Sequence, residues 1–134
     1  MTRVVIWADS RYPVNRKIIR KAVLDSFSKN KISQIDCEVS VAVVGKRKMK
    51  ALCRKYLGDL ALHEILTFPL EDVGKAGLSG FISAPDGILR LGDIVLCWPQ
   101  VLEEASYQDV MVDEQVYFLI CHGVDHLLGK HHDE

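Results

Sequence analysis

Residues 122–132 read HGVDHLLGKHH and hold four of the five histidines in the chain. His122 and His126 are four residues apart, so on a helix their side chains differ by about 40° in direction and by one turn in height. Two imidazoles on one helical face can reach the same metal ion. The stretch therefore predicts a helix that supplies the first two ligands of a metal site.

A third ligand is expected from the residues that follow. Gly129 can adopt the left-handed conformation that ends a helix and turns the chain back. The returning segment carries His131 and His132, which in an extended chain point to opposite sides, so only one of them can face the ion. Helix geometry alone does not choose between them, although His132 lies where such a return could supply a nitrogen. Three imidazoles with an open fourth position are typical of catalytic zinc sites, because structural sites are usually closed by four protein ligands.

The alternative interpretation is a solvated, histidine-rich terminus or an affinity-tag remnant. Tag histidines form an unbroken run, whereas these are separated by apolar residues that favour a helix. The spacing H-x3-H-x5-H, which selects His132, is also that of the metzincin proteases. Those enzymes need a glutamate directly after the first histidine as general base, and this chain has Gly123 there. We therefore expect one zinc ion per chain, and peptide hydrolysis is disfavoured.

The composition is that of one ordinary globular domain spanning residues 1–134, with 49% hydrophobic and 26% charged residues. The longest apolar run, residues 116–121, is far shorter than a membrane span, and the apolar part of MTRVVIWADS is too short for a secretory signal. Four cysteines occur singly, which indicates a reducing compartment, and we expect the cytoplasm and no membrane partner. Cys121, beside His122, is better explained as a small buried side chain than as a ligand.

Hydrophobic periodicity predicts the element order β-α-β-α-β-β-α-α. Strands are expected at residues 4–8, 38–44, 63–69 and 87–97, the first one buried and the last one a strand pair or one long strand bent around Gly92. Helices are expected from Pro13, over residues 46–57 with Gly58 as cap, from Pro99 to about Val110, and from Asp113 or Glu114 onwards. This order indicates an α+β fold, a mixed sheet packed with helices.

Positive charge is concentrated in one segment of a chain whose net charge is −1. KRKMKALCRK, residues 46–55, holds six basic residues and no acidic one. In the predicted helix, Met49, Leu52, Cys53 and Tyr56 face inward. The net charge argues against generic coating of nucleic acid, but it is compatible with a local basic patch. The alternative is a solvated charged face.

The histidine stretch, ILTFP at residues 65–69 and LGDIVLC at residues 91–97 share their pattern with one known family. They are similar to the motifs H-G-x-x-H-L-x-G-x-x-H, V-L-S-F-P and L-G-D-I-V-I-C of the YbeY family, bacterial rRNA-maturation metalloproteins described as single-strand-specific endoribonucleases. The resemblance is specific over residues 50–132. It implies a zincin-like metallohydrolase fold with zinc bound by His122, His126 and His132. It also implies single-stranded RNA or rRNA, the small ribosomal subunit and its assembly factors as partners.

The chain departs from the family pattern at several positions. The family has an arginine implicated in RNA handling directly after the tyrosine of its second helix, whereas Tyr56 is followed by Leu57. Its Pro-Thr-Asp before the V-L-S-F-P strand is replaced by Leu62-His63-Glu64, and its Tyr-Asp before the last histidine by Lys130-His131. Arg54 lies three residues before Leu57 on nearly the same helical face, so we expect it to take the place of the missing arginine.

Zinc chemistry on RNA needs positive charge near the ion. Zinc would bind the scissile phosphate or lower the pKa of its bound water, and cations must hold the RNA backbone and offset charge developing on phosphorus. The basic helix is the natural source, through Arg47, Lys48, Lys50, Arg54 and Lys55. Asp125 is a second catalytic candidate beside Arg54, since it flanks the histidine pair and could orient a zinc-bound water. A solvated aspartate is the alternative there.

Three functions follow from these features. The first, by resemblance, is a zinc-dependent, single-strand-specific endoribonuclease acting in small-subunit rRNA maturation and ribosome quality control. The second is a metal-stabilised RNA-binding or ribosome-assembly factor with little catalysis, favoured by the missing arginine. The third and most distant is a metalloprotease. Metal-dependent cleavage of single-stranded RNA, compared with cleavage of casein, separates all three.

Overall fold

A four-stranded mixed sheet lies at the centre of the computed structural model, which describes residues 2–70 and 87–129. Its strands are β1 (Thr2–Ala8), β2 (Cys37–Val44), β3 (Ile65–Pro69) and β4 (Leu89–Cys97). Its helices are α1 (Arg16–Lys29), α2 (Lys46–Leu57), α3 (Trp98–Gln108) and α4 (Val112–Leu127). The predicted α+β class and the predicted order of these elements are confirmed over the described ranges.

The strands lie in the order β1-β2-β4-β3, and β3 is the edge strand next to β4. β1, β2 and β4 run parallel, whereas β3 runs antiparallel to β4. Parallel neighbours need a crossover, and α1 supplies it between β1 and β2. Pro69 ends β3, a position that suits proline because an edge strand can lack one backbone donor.

The two faces of the sheet are covered by different helices. Val39, Val41 and Val43 of β2 are fully buried in the larger core cluster, which also contains the inner residues of α1 and α4. Val44 points the other way and clusters with Met49 and Cys53 of α2. α1 and α4 therefore lie on one face of the sheet, and α2 lies on the other.

A β-bulge bends β4 in the middle of the sheet. Glu38 pairs with Arg90 and Val39 pairs with Gly92, so Leu91 is an extra residue in β4. Gly92 has a φ of 140°, and a Cβ atom there would collide with the backbone carbonyl oxygen of Phe68. Of the two predicted alternatives for residues 87–97, the single bent strand is confirmed.

Several local predictions are wrong. α1 begins at Arg16 and not at Pro13, because the Asn15 side chain accepts hydrogen bonds from the amides of Lys17 and Ile18 and so caps the helix. β1 is only half buried, since its odd-numbered residues face away from the core. Tyr56 of α2 is exposed, although its ring makes an edge contact with Phe68.

Other boundaries shift by one or two residues. β3 begins at Ile65 where we expected residue 63, and α4 begins at Val112 where we expected Asp113 or Glu114. Gly58 adopts the predicted left-handed cap, with a φ of 62°. None of the helices in the described ranges has the length and apolar character needed to cross a membrane.

We expect Gly92→Ala to lower the free energy of unfolding by about 2–6 kcal/mol, the sum of backbone strain and overpacking against Phe68. Gly58→Ala is the matched control, because Gly58 also has a positive φ but a Cβ atom there meets nothing within 4 Å. The control substitution should lower the free energy of unfolding by only about 1–2 kcal/mol. Urea unfolding of both variants measures the difference, and equal losses would contradict the proposed collision.

Candidate metal centre

Gly123 lets α4 lie directly on β3 and β4. It is buried, and a Cβ atom on it would be 3.0 Å from Cδ1 of Ile94 and 3.4 Å from Cδ1 of Ile65. Contacts that close would push the helix away from the sheet. In the sequence, this glycine stood out as part of the family motif and as the position where a protease would carry its general base. The structure gives it a packing role as well.

The side chains of His122 and His126 lie next to each other on a half-exposed stripe of α4. Their ring centroids are 4.4 Å apart, and the ring planes are inclined by 52°. Phe118, one turn earlier, stacks on His122 with a centroid distance of 6.0 Å and an angle of 14° between the planes. Helical spacing predicted this neighbourhood of the two imidazoles, and the structure brings them together.

The donor chemistry of this pair fits zinc. Zinc–nitrogen bonds are about 2.0–2.1 Å long, so two ligating nitrogens must come within a few ångströms of each other, as neighbouring rings allow. Within residues 2–70 and 87–129, no group of three or more His, Cys, Asp or Glu side chains could hold a metal ion. The predicted third ligand, His132, and its neighbour His131 lie outside the described residues. The ligand roles of all three histidines stay predictions.

Gly129 adopts the predicted left-handed conformation at the end of α4. Gly129 has a φ of 80°, in the left-handed region, and its amide donates to the carbonyl oxygen of His126 at 3.0 Å. This geometry suits glycine because residues with a Cβ atom rarely adopt it.

Two polar contacts hold α4 against α1 along the helical stripe that lies beside the histidines on the α1 side. The Tyr117 hydroxyl donates to Oδ2 of Asp25 at 2.6 Å, and Lys21 Nζ donates to the same oxygen at 2.7 Å. Asn30 Nδ2 donates to Oδ1 of Asp125 at 3.1 Å. These contacts fix both the rotation and the height of the helix that carries the histidines.

Asp125 is therefore not the solvated side chain of our alternative interpretation, which is wrong. It is 6% exposed and lies in the contact between α1 and α4. A buried carboxylate needs hydrogen-bond donors, and Asn30 is one of them. Its predicted role in orienting a zinc-bound water stays a prediction, and its observed contact positions α4.

The hydrogen bond between Tyr117 and Asp25 changes the pKa of both groups. The Lys21 ammonium and then the Tyr117 hydroxyl lower the pKa of Asp25, because both donate to its ionised form. Donation to Asp25 raises the pKa of Tyr117 to about 12. The roles of Asp25, Asn30 and Tyr117 were not predicted from the sequence. In the sequence they are only polar residues next to the apolar stripe of a helix, which does not identify a hydrogen-bond partner.

The segment Leu62-His63-Glu64, which departs from the family pattern, has structural contacts. His63 Nε2 lies 2.8 Å from Oδ2 of Asp59. Glu64 Oε2 accepts from the buried Gln115 side chain of α4 at 2.9 Å, and burial raises the pKa of Glu64. The contact ties the start of β3 to the first half of α4.

The basic residues of α2 lie on the opposite face of the sheet from the histidines. Ile65 and Ile94 face α4, whereas their neighbours Leu66 and Val95 face α2, as alternation along a strand requires. All five predicted RNA-binding residues are exposed, namely Arg47, Lys48, Lys50, Arg54 and Lys55. The structure does not bring Arg54 and the histidine pair to one face. Arg54 lies near the end of α2 whose Tyr56 contacts edge strand β3.

Comparison with known proteins gives a family match. The family model described as Endoribonuclease YbeY matches residues 9–134. The chain belongs to the YbeY family. The solution structure of TM1509 from Thermotoga maritima shares the fold, with a TM-score of 0.59 and 22% identity over 99% of this chain and 75% of that one.

Curated relatives named Endoribonuclease YbeY support the family assignment. The relative from Azoarcus sp. is 35% identical over 99 residues, which are 74% of this chain and 37% of that protein. The relative from Dehalococcoides mccartyi is 28% identical over 91% of this chain and 70% of its own length. The relative from Moorella thermoacetica is 31% identical over 91% of this chain and 78% of its own length.

We expect the hydrogen bond between Tyr117 and Asp25 to break at alkaline pH. The pKa of Tyr117 in the folded chain, about 12, is raised above the ordinary value. Its contribution to stability is therefore present below about pH 10 and disappears as the pH rises towards 12. The ultraviolet titration curve of Tyr117→Phe is subtracted from that of the unmodified chain. The difference should show one phenol ionising near pH 12. Asp25→Asn should shift that ionisation towards 10, and a normal titration in the unmodified chain would contradict the hydrogen bond.

Proposed function

We propose that this chain is a zinc-dependent endoribonuclease that cleaves single-stranded RNA. The observation that carries the proposal is the pair of neighbouring imidazoles, His122 and His126, on a helix of a chain that belongs to the YbeY family. Its proposed substrate is small-subunit rRNA, with roles in rRNA maturation and ribosome quality control in the cytoplasm. Its proposed partners are the small ribosomal subunit and its assembly factors.

The chain's own residues would bind and orient the metal and the RNA. His122, His126 and His132 would hold one zinc ion, which supplies a Lewis acid and a bound water of lowered pKa. Phe118 restricts the His122 ring, and Asn30 and Tyr117 hold α4 against α1. Basic side chains at the β3 end of α2, Arg54 and Lys55, would bind RNA phosphates as the strand passes the edge of the sheet.

A second candidate is an RNA-binding or ribosome-assembly factor with little catalysis. Leu57, at the position where the family has arginine, is 51% exposed, and Arg54 lies on the face of the sheet opposite the histidines. Both observations reduce the cationic help available near the metal. A metalloprotease is disfavoured, because the position that would carry its general base is the buried Gly123, which faces Ile94 and Ile65.

We expect His126→Ala to abolish metal-dependent cleavage of single-stranded RNA. Its zinc affinity should fall by more than the roughly 10–100-fold typical of residues that only orient a ligand. His63→Ala is the matched control, because His63 pairs with Asp59 and is not one of the predicted ligands. Elemental analysis of tag-free protein and RNA cleavage with and without a chelator measure both effects. Cleavage that survives zinc removal would contradict the metal dependence, and zinc binding without cleavage would favour the second candidate.

The third ligand is tested by two adjacent substitutions. We expect His132→Ala to reduce zinc affinity severely and His131→Ala only slightly, because neighbouring side chains of an extended segment point to opposite sides. Zinc affinity should also fall at low pH, since imidazoles must be neutral to bind the ion. Competition with a coloured zinc chelator measures the affinities. Exchange of the two outcomes would show that His131 is the ligand.

A further inference from the structure

A concave surface lies away from the histidine pair. A cleft of about 720 Å³ opens at the carboxyl ends of β1 and β2, between the turn after β1 and the first half of α2. Six of its lining residues are cationic or aromatic: Trp7, Arg11, Tyr12, Lys46, Arg47 and Lys48. We call this surface the Trp7 cleft.

The Trp7 cleft and the histidines lie at different levels along the strands. α4 runs antiparallel to β4: Gly123 lies over Ile94, and the Leu127 side chain lies near Gly92. The part of α4 that carries the histidines therefore lies over the middle of β4, whereas the cleft lies at the carboxyl ends of β1 and β2. The cleft is also displaced across the sheet and towards the face of α2. Strand spacing and rise place the two sites on the order of 20 Å apart.

The Trp7 cleft carries a net positive charge that can bind an anionic ligand. Its one acidic lining residue, Asp9, accepts from Arg11 Nε at 2.9 Å and from a second guanidinium nitrogen at 2.7 Å. These bonds lower the pKa of Asp9 to about 2. Among the described residues, no carboxylate forms an ion pair with Lys46, Arg47 or Lys48.

An exposed aromatic ring borders these three cations. Trp7 is 58% exposed on the side of β1 that faces away from α1, and Val5 beside it is 47% exposed. Tyr12 instead stacks on the buried Trp98 and lies against Gly45, where a Cβ atom would meet its hydroxyl. Tyr12 thus forms part of the cleft wall, and Trp7 is the ring that remains open to a ligand.

We propose that the Trp7 cleft is a second binding site for single-stranded RNA, with a base stacked on Trp7 and adjacent phosphates bound by Lys46, Arg47 and Lys48. The proposal rests on RNA being the substrate. A flat exposed ring beside a row of cations matches a strand that presents bases and phosphates together. An acidic peptide would satisfy the cations but not the ring.

The separation of the two sites predicts a dependence on RNA length. At a stacked rise of roughly 3.4 Å per nucleotide, a strand of about six nucleotides covers 20 Å, and an unstacked strand covers the same distance with fewer nucleotides. A dinucleotide, with its one phosphodiester link, is too short to occupy the cleft and the metal centre at once. The cleft would therefore raise the affinity for long strands and leave short ones unaffected at the metal centre.

The test compares cleavage of a 12-nucleotide single-stranded RNA with cleavage of a dinucleotide. Trp7→Ala should raise KM for the 12-nucleotide RNA about 5- to 150-fold, the range for removal of one base–aromatic stack, with kcat and cleavage of the dinucleotide unchanged. Trp7→Phe should restore KM, because it keeps an aromatic face. Unchanged KM in Trp7→Ala would overturn the proposal.

Salt dependence tests the binding of phosphates. Binding of the 12-nucleotide RNA by His126→Ala protein is measured against salt, alone and with Arg47→Ala/Lys48→Ala added. The two substitutions should reduce the slope of log affinity against log salt by about 1.4, or 0.7 for each phosphate that the protein no longer neutralises. Lys17→Ala/Arg20→Ala removes the same charges from exposed positions of α1 and should leave the slope unchanged. Equal reductions would overturn the proposal.

The outcomes separate this proposal from the proposed function. Trp7-dependent binding of RNA without any cleavage would contradict the proposed nuclease function and support the cleft as a binding site. Cleavage that does not depend on Trp7, Arg47 or Lys48 would contradict the proposed role of the cleft and support the nuclease function. A polyglutamate peptide that binds as tightly as RNA and is insensitive to Trp7→Ala would show that the cleft binds an acidic protein segment instead.

Discussion

The close approach of α4 to the sheet is the constraint on which the candidate metal centre depends. Gly123 has no side chain, so the helix can lie against Ile65 and Ile94 without displacing either strand. The same approach occurs one turn later, where the Leu127 side chain reaches Gly92. Because Gly123 contacts both Ile65 of β3 and Ile94 of β4, the part of α4 that carries His122 and His126 lies over the edge strand β3 and its neighbour β4. A larger residue at either glycine would move both imidazoles together.

Hydrogen bonds fix the orientation of α4, which apolar packing alone leaves less well defined. Packing against a sheet fixes the depth of a helix better than its rotation, because apolar contacts are not directional. Tyr117, Asp125 and Gln115 add directional hydrogen bonds, two to α1 and one to the start of β3. No buried side-chain nitrogen or oxygen in the described ranges lacks a partner. The helix that carries the histidine pair is thus held by hydrogen bonds to α1 and to the start of β3, which is how a binding site acquires a defined geometry.

Local patterns in the sequence were enough to predict most elements. Alternation of Val39, Val41 and Val43 identified β2, Gly58 marked the end of α2, and the four-residue spacing of His122 and His126 placed both rings on one side of α4. Contacts between distant residues could not be read in this way. Tyr117 and Asp25 are 92 residues apart, and Asn30 and Asp125 are 95 apart. No local pattern indicates which polar residue of one helix meets which residue of another, so Asp125 had a solvated alternative until the packing of α1 was known.

The sequence also did not predict on which face of the sheet α2 lies. That position determines which surfaces the basic residues of α2 border. A helix of 12 residues is about 18 Å long, so the basic residues at its two ends have different surroundings. Lys46, Arg47 and Lys48 border the Trp7 cleft, whereas Arg54 and Lys55 lie near the end that reaches β3. A single patch would attract RNA without directing it. Two cationic groups along one helix define a direction, which leads from the carboxyl ends of β1 and β2 towards the edge strand β3, which packs against α4.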